Sequence, residues 1–151
     1  MTGPAVPGVT IRPATPDDRP AAPELIAGAG LPLDGLDDAA LLVAEEDGAV
    51  VGTVALERYG DGPGTVYLLR SAVVAPDHRG RGIGAALTAA ALERVDAERA
   101  PVALLTETAD GWFPRFGFQP VPRGALPAAL SASAELRGAC PDTARALLRR
   151  A

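Results

Sequence analysis

The sequence predicts an α+β domain with an antiparallel sheet at its centre and helices against it, and three observations carry that reading. Asp47-Gly48 separates two extended apolar segments, the pattern of a tight two-residue hairpin. A second turn, Gly60-Asp61-Gly62-Pro63-Gly64, leads into a third extended segment. After Ala75-Pro76 the period becomes helical, with Ile83, Leu87, Ala90, Ala91 and Val95 on one stripe.

Each element follows from local chemistry. Residues 1–8 (MTGPAVPG) hold two prolines and two glycines and read as a loose leader, leaving residues 9–151 as a single domain. Residues 9–12 suit a short strand. Thr15 before Pro16, Asp17 and Asp18 is helix-start chemistry: a cap, a proline in the first turn and acids at the positive dipole end. That helix is expected over 16–29, with an opening made irregular by Pro20 and Pro23, and 30–38 is a loop. Strands are expected at 41–45, 50–58 and 65–74. If the second turn centres on Gly62, Glu57 stands opposite Tyr67. The helix from Ile83 ends at Pro101, and 102–106 is a short apolar strand. Residues 110–116 suit a short helix stopped by Gly117, and 118–121 return to extended structure. Residues 144–150 favour helix by propensity.

Composition excludes several functions. The chain has 151 residues, 14 basic and 19 acidic, for a net charge of −5. Every basic residue is Arg, so neither a Schiff-base lysine nor a Walker-type phosphate loop is available. An acidic chain without Lys is also poorly suited to nucleic acid. Cys140 and His78 are each the only residue of their type, which excludes an intrachain disulfide and argues against clustered metal sites and a Ser-His-Asp system. The N-terminus lacks the pattern of a secretory signal, and no run approaches the ~18 apolar residues of a membrane span. The expectation is a cytoplasmic protein using no metal, membrane or nucleic acid.

The most informative stretch is Arg79-Gly80-Arg81-Gly82-Ile83-Gly84, between a strand and the amphipathic helix. Glycines there let the backbone approach a ligand, and the free amides of a helix N-terminus favour an anion. Arg79 and Arg81 add positive charge, so a pyrophosphate is the natural guest. A dinucleotide fingerprint does not fit, because Pro76-Asp77-His78 intervene after the strand and the third glycine comes too soon.

The segment Ala72-Val73-Val74-Ala75-Pro76, followed by Arg79-x-x-Gly82-x-Gly84, resembles the acetyl-CoA signature of GNAT-type N-acetyltransferases. Phe116-Gly117-Phe118 resembles that family's later GF landmark. The resemblance covers about residues 11–121. It implies a mixed, largely antiparallel sheet whose fourth and fifth strands, 65–74 and 102–106, splay apart. It also implies pantetheine against the backbone of Val73 and Val74, and a pyrophosphate on the amides of Arg79, Gly80, Arg81, Gly82, Ile83, Gly84 and Ala85. It recasts 144–150 as a final strand. Three further stretches, Leu104–Ala109, Arg115-x-Gly117-Phe118-x-Pro120-Val121-Pro122-Arg123 and Ser133-x-Glu135-x-Arg137-Gly138-x-Cys140-Pro141, are similar to the GNAT branch associated with bacterial arsenic resistance.

Acetyl transfer to an amine needs a neutral nucleophile, a polarised thioester carbonyl and a departing thiolate. A backbone N–H of the splayed strand can polarise the carbonyl. Candidate bases are the strand-end acids Glu57 and Glu107, which read equally as surface carboxylates. Arg70 suits an anionic group on the acceptor or a structural ion pair. Ser71 and Thr106 share that ambiguity as acceptor contacts. Trp112 and Phe113 suit core or coenzyme wall. Phe113 stands where the family often carries tyrosine, so water, Tyr59 or Tyr67 must protonate the thiolate, or it leaves without an acid. Nothing near Cys140 in sequence activates it as a nucleophile. The reading is direct transfer from acetyl-CoA to a small amine, amino-acid-like or organoarsenical toxicants included, by a monomer or homodimer. The alternatives are an acetyl-CoA sensor without turnover and acylation of protein chains, though no peptide groove is evident.

Overall fold

The computed structural model describes residues 5–151. Its elements are β1 (Thr10–Pro13), α1 (Ala21–Gly28), β2 (Ala40–Glu46), β3 (Ala49–Tyr59), β4 (Val66–Val74), α2 (Ile83–Ala97), β5 (Val102–Thr106), β6 (Gln119–Val121) and β7 (Arg145–Arg149). The seven strands form one sheet in the order β1-β2-β3-β4-β5-β7-β6. Every neighbouring pair is antiparallel except β4 and β5, so the α+β architecture matches the expectation. Of the expected leader, residues 1–4 lie outside the described residues, while Val6 packs against the core.

Asp47 and Gly48 close the β2–β3 hairpin with φ of 53° and 80°, both left-handed, as a two-residue primed turn requires. The second turn is centred half a residue later than expected. Glu57 therefore faces Leu68, and Arg58 faces Tyr67. Helix α2 covers one sheet face through Ile83, Leu87, Ala91 and Val95, all buried against Val54, Leu56, Leu69 and Leu104. Helix α1 packs on the other face through Ile26, against Ala55 and Val73. Leu130, from the segment after β6, covers Val66, Leu68, Ala103 and Leu148 on that second face.

Two expected helices are corrected, and a third segment is settled as strand. The stretch 16–29 splits into a 3₁₀ turn, Pro16–Asp18, and α1, because Pro20 and Pro23 fit only around a helix start. Asp18 ties the 3₁₀ turn by accepting from the Thr15 N–H at 2.6 Å and from Arg12 at 2.8 and 2.9 Å. Those Arg12 bonds hold its carboxyl down at about 2. The stretch 110–116 forms only the 3₁₀ turn Phe113–Phe116, stopped by Gly117 at φ 96°. Residues Arg145–Arg149 form a strand, as the family resemblance implied and helix propensity did not. Pairing to β5 on one edge and β6 on the other, with Ala146, Leu147 and Leu148 buried, overrides the local preference.

Two features of β4 position the site. Its pairing shifts register between Thr53↔Val73 and Ala55↔Arg70, so Ser71 and Ala72 oppose Val54 as two residues against one. Ser71 takes φ 57°, and its carbonyl accepts from Thr53 Oγ1 at 2.8 Å. The slip carries Val73 to the α1 face and Val74 to the α2 face. The parallel pairing to β5 covers only Tyr67↔Val102 and Leu68↔Ala103. Beyond it the strands diverge, as the splay expectation required.

Candidate active site

The divergence opens a cleft of about 790 Å³ between β4, the start of α2 and the end of β5. One half is built from backbone. Gly80 and Gly82 have φ of 81° and 87°, a region that other residues rarely enter. Gly82 also caps α2, whose first internal bond is Ala86 N–H to Gly82 O at 3.0 Å. The amides of Ile83, Gly84 and Ala85 thus have no acceptor within the helix. A Cβ on Gly84 would stand 3.5 Å from Val74 and 3.9 Å from the Trp112 ring, which leaves little room above this turn. Ala75 N–H donates to Val51 O across the β3 ladder, so by strand alternation Val74 turns its N–H and C=O to the cleft edge.

All the expected coenzyme residues line this cleft except Arg81. Arg79 is exposed and its Nε donates to Val74 O at 3.2 Å, which folds its guanidinium back over the turn. Arg81 points instead to Glu46 of β2, donating at 2.9 and 2.5 Å. Its hydrogen bonds hold the Glu46 carboxyl below the usual carboxylate range. His78 Nε2 lies 3.4 Å from the same carboxylate, and its Nδ1 is buried without a partner among the described residues. Glu46 therefore braces the turn against the sheet, a role that its sequence context did not signal.

The other half is built from side chains. Arg70 is fully buried, and its Nη1 donates to Glu57 Oε2 at 2.7 Å and to Asp34 O at 2.5 Å. Its Nη2 donates to Pro32 O at 2.8 Å, and its Nε donates to Ser71 Oγ at 3.2 Å. That Nε is also 3.3 Å from Glu135 Oε2. Of the two readings of Arg70, the ion pair describes its surroundings. It lines the cleft, but its donors serve Glu57 and the 32–34 loop. Breaking such a buried pair costs about 3–5 kcal/mol.

Glu57 is buried away from the cleft lining, its Oε1 accepting from the Tyr59 hydroxyl at 2.6 Å. This position departs from both readings of Glu57, a base at the cleft and a strand-end surface carboxylate. Glu107 does reach the cleft, exposed at its mouth, where it accepts from Thr143 Oγ1 at 2.8 Å. Ser71 and Thr106 line it as well, and Thr106 Oγ1 accepts from Ala109 N–H at 3.0 Å.

Phe113 is buried in the cleft wall, edge-on to Trp112 at 4.9 Å and to Phe118 at 5.7 Å, with no proton to offer. Neither tyrosine replaces it, because Tyr59 and Tyr67 both lie off the cleft. Burial, reinforced by Glu57, pushes the Tyr59 hydroxyl up to about 12. Burial also raises Tyr67, whose hydroxyl donates to Glu98.

Sequence reasoning assigned no role to Glu135, which lines the cleft at 4 % exposure beside Cys140. Burial raises its carboxyl above the usual range, with Arg70 opposing the rise. Burial also pushes the Cys140 thiol up to about 12, and Glu135 adds to it. Both effects disfavour the thiolate at Cys140, the form that reacts. Among the described residues no His, Cys, Asp and Glu group could hold a metal ion, and no helix is long and apolar enough to cross a membrane.

A sheet that splays around a glycine-built helix N-terminus defines a class of proteins that hold an anionic cofactor along a strand edge. The family profile "Acetyltransferase (GNAT) domain" matches residues 37–120, more than half of the chain, and the protein belongs to that family. No functionally curated protein matches the sequence. Among solved structures, N-acetylglutamate synthase of Neisseria gonorrhoeae, complexed with coenzyme A and N-acetyl-glutamate, superposes with a TM-score of 0.76 at 22% identity. The match covers 94% of this chain, which spans only 35% of that protein. Rv2747 of Mycobacterium tuberculosis, solved in complex with CoA, gives 0.73 at 21% identity over 94% of this chain and 99% of that one. Naa50 of Arabidopsis thaliana, bound to the bisubstrate analogue CoA-Ac-MVNAL, gives 0.73 at 15% identity over 95% and 99%. At these identities the neighbours establish the fold. The family itself supports acetyl transfer in general.

Proposed function

We propose that the protein is an N-acetyltransferase that moves the acetyl group of acetyl-CoA directly to the amine of a small molecule. The observation that carries this reading is the row of free amides at Ile83, Gly84 and Ala85 beside the open edge of β4. These amides and the helix dipole would hold the pyrophosphate, worth about 0.3–1 kcal/mol in exposed settings and more when partly buried. Pantetheine would lie along Val73 and Val74, and the thioester would stop near the bulge at Ser71 and Ala72.

In the reaction, the neutral amine nitrogen attacks the thioester carbonyl carbon and a C–N bond forms. The C–S bond then breaks, releasing the amide and CoA thiolate. A backbone N–H at the bulge polarises the carbonyl, and the nitrogen's proton leaves through water to Glu107 at the mouth. Glu57 acts at one remove, by holding Arg70. The thiolate departs without a protein acid, consistent with Phe113 at that position and with a thiol pKa of ~8.5. The three stretches similar to the arsenic-resistance branch support an amine-bearing toxicant as acceptor, organoarsenicals included, and a cytoplasmic setting suits that role.

The Phe113 observation also favours a second reading, an acetyl-CoA sensor of the same fold. Mixing the protein with acetyl-CoA and a panel of amines, and following free thiol, separates the two. Amine-stimulated release supports the transferase. Saturable coenzyme binding with no release across the panel supports the sensor. Glu107→Gln is expected to lower kcat by about 10²-fold, with coenzyme affinity kept.

A further inference from the structure

The acceptor half of the cleft carries an unbalanced set of charges. Glu135 stands on the π-turn Glu135–Ala139, fixed by its N–H donating to Ser133 Oγ at 3.2 Å. Arg70 approaches its carboxylate only at 3.3 Å, while the nearer Arg70 bonds go to Glu57, Asp34 O and Pro32 O. One guanidinium is therefore shared by two carboxylates, and Glu107 adds a third at the mouth.

Other arginines of the region have other partners. Arg123 donates to the carbonyls of Pro141 and Ala144 and opens on a separate, shallow pocket. Arg115, in the cleft lining, sits 5.1 Å over the Trp112 ring with its Nε donating to Trp112 O, and the Arg79 Nε donates to Val74 O. The wall formed by Leu31 and Pro32 is apolar, with Leu31 37 % exposed.

We propose that Glu135 docks the acceptor's ammonium group, so that the cleft selects a primary amine with an apolar body and no carboxylate on the amine-bearing carbon. An ammonium arriving beside Glu135 supplies the positive charge that the Glu57–Arg70–Glu135 cluster lacks; it gives one proton to solvent water before the neutral amine attacks, and the second leaves through water to Glu107 after attack. A carboxylate one carbon away would meet these acids, with the donors of the Arg70 guanidinium already committed to Glu57, Ser71 and the 32–34 loop, and like charges in a desolvated site select against it. Leu31 and Pro32 take the apolar body. Among amine-bearing toxicants the site thus favours those without an α-carboxylate. This inference rests on the transferase reading and names its acceptor class.

The test uses matched pairs that differ only in that carboxylate: phenethylamine and phenylalanine, tyramine and tyrosine, isoamylamine and leucine. With acetyl-CoA saturating, thiol release is expected to give the decarboxylated members a kcat/KM at least about tenfold higher. Glu135→Gln is expected to bring that ratio toward one, mainly through KM, and Glu135→Asp to restore part of it. Equal rates or a preference for the amino acids in the wild-type protein would overturn the proposal. So would an unchanged ratio in a Glu135→Gln protein that keeps its wild-type circular dichroism. If that variant does not fold, the wild-type ratio decides. No release from any member, with acetyl-CoA bound, overturns the transferase reading itself, and this inference falls with it.

Discussion

The two halves of the cleft are made of different material. The coenzyme half uses peptide groups fixed by three glycines and a helix start, and needs almost no side chain to be present. The acceptor half depends on Arg70 from β4, Glu57 from β3 and Glu135 from the segment before β7, packed into one buried cluster. A cofactor common to a family can be held by backbone that many sequences supply. An acceptor particular to one protein has to be read by side chains, and here they come from three distant parts of the chain.

If that contrast is right, the acceptor half should be the more fragile. Arg70→Leu strands two buried carboxylates, and urea unfolding is expected to show a loss of about 3–5 kcal/mol. A loss below 1 kcal/mol would mean the cluster is more open than its burial implies. The same half should be chemically quiet. Native Cys140 is expected to react with a disulfide reagent at pH 8 about 10²–10³-fold more slowly than a free thiol, because the thiolate is the nucleophile. With the thiol held up to about 12, its rate should climb roughly tenfold per pH unit below that value and level off above it. Fast labelling at pH 8 would show that the cluster opens readily. The smallest effect belongs to the coenzyme half. Arg81→Gln is expected to change acetyl-CoA affinity by less than about threefold, because its guanidinium serves Glu46 and its charge is exposed. A much larger loss would return Arg81 to the pyrophosphate.

The same contrast explains what the sequence disclosed. The glycine spacing of 80, 82 and 84, the Asp47-Gly48 hairpin and the stripe of α2 are local, so strands, helix and coenzyme turn could be read in advance. The direction of Arg81 could not, because its partner Glu46 is on another strand. Glu57 sat at the expected strand end, yet its burial depends on the loop at 32–34 and the tail that close over it. The strand at Arg145–Arg149 was legible only through the family resemblance, because Ala, Leu and Arg favour helix until two neighbouring strands claim both edges.

The central claim is that acetyl-CoA binds through the backbone at the start of α2. Calorimetric titration of acetyl-CoA into the wild-type protein, alongside Gly82→Glu, tests it most directly. Gly82 is left-handed and caps the helix, so glutamate there strains the turn and sets a negative charge among the free amides. The account predicts one saturable site per chain, a matching change in emission from Trp112 in the cleft wall, and at least about tenfold weaker binding in the variant. Absence of binding to the wild-type protein, or undiminished affinity in a folded Gly82→Glu protein, would contradict it.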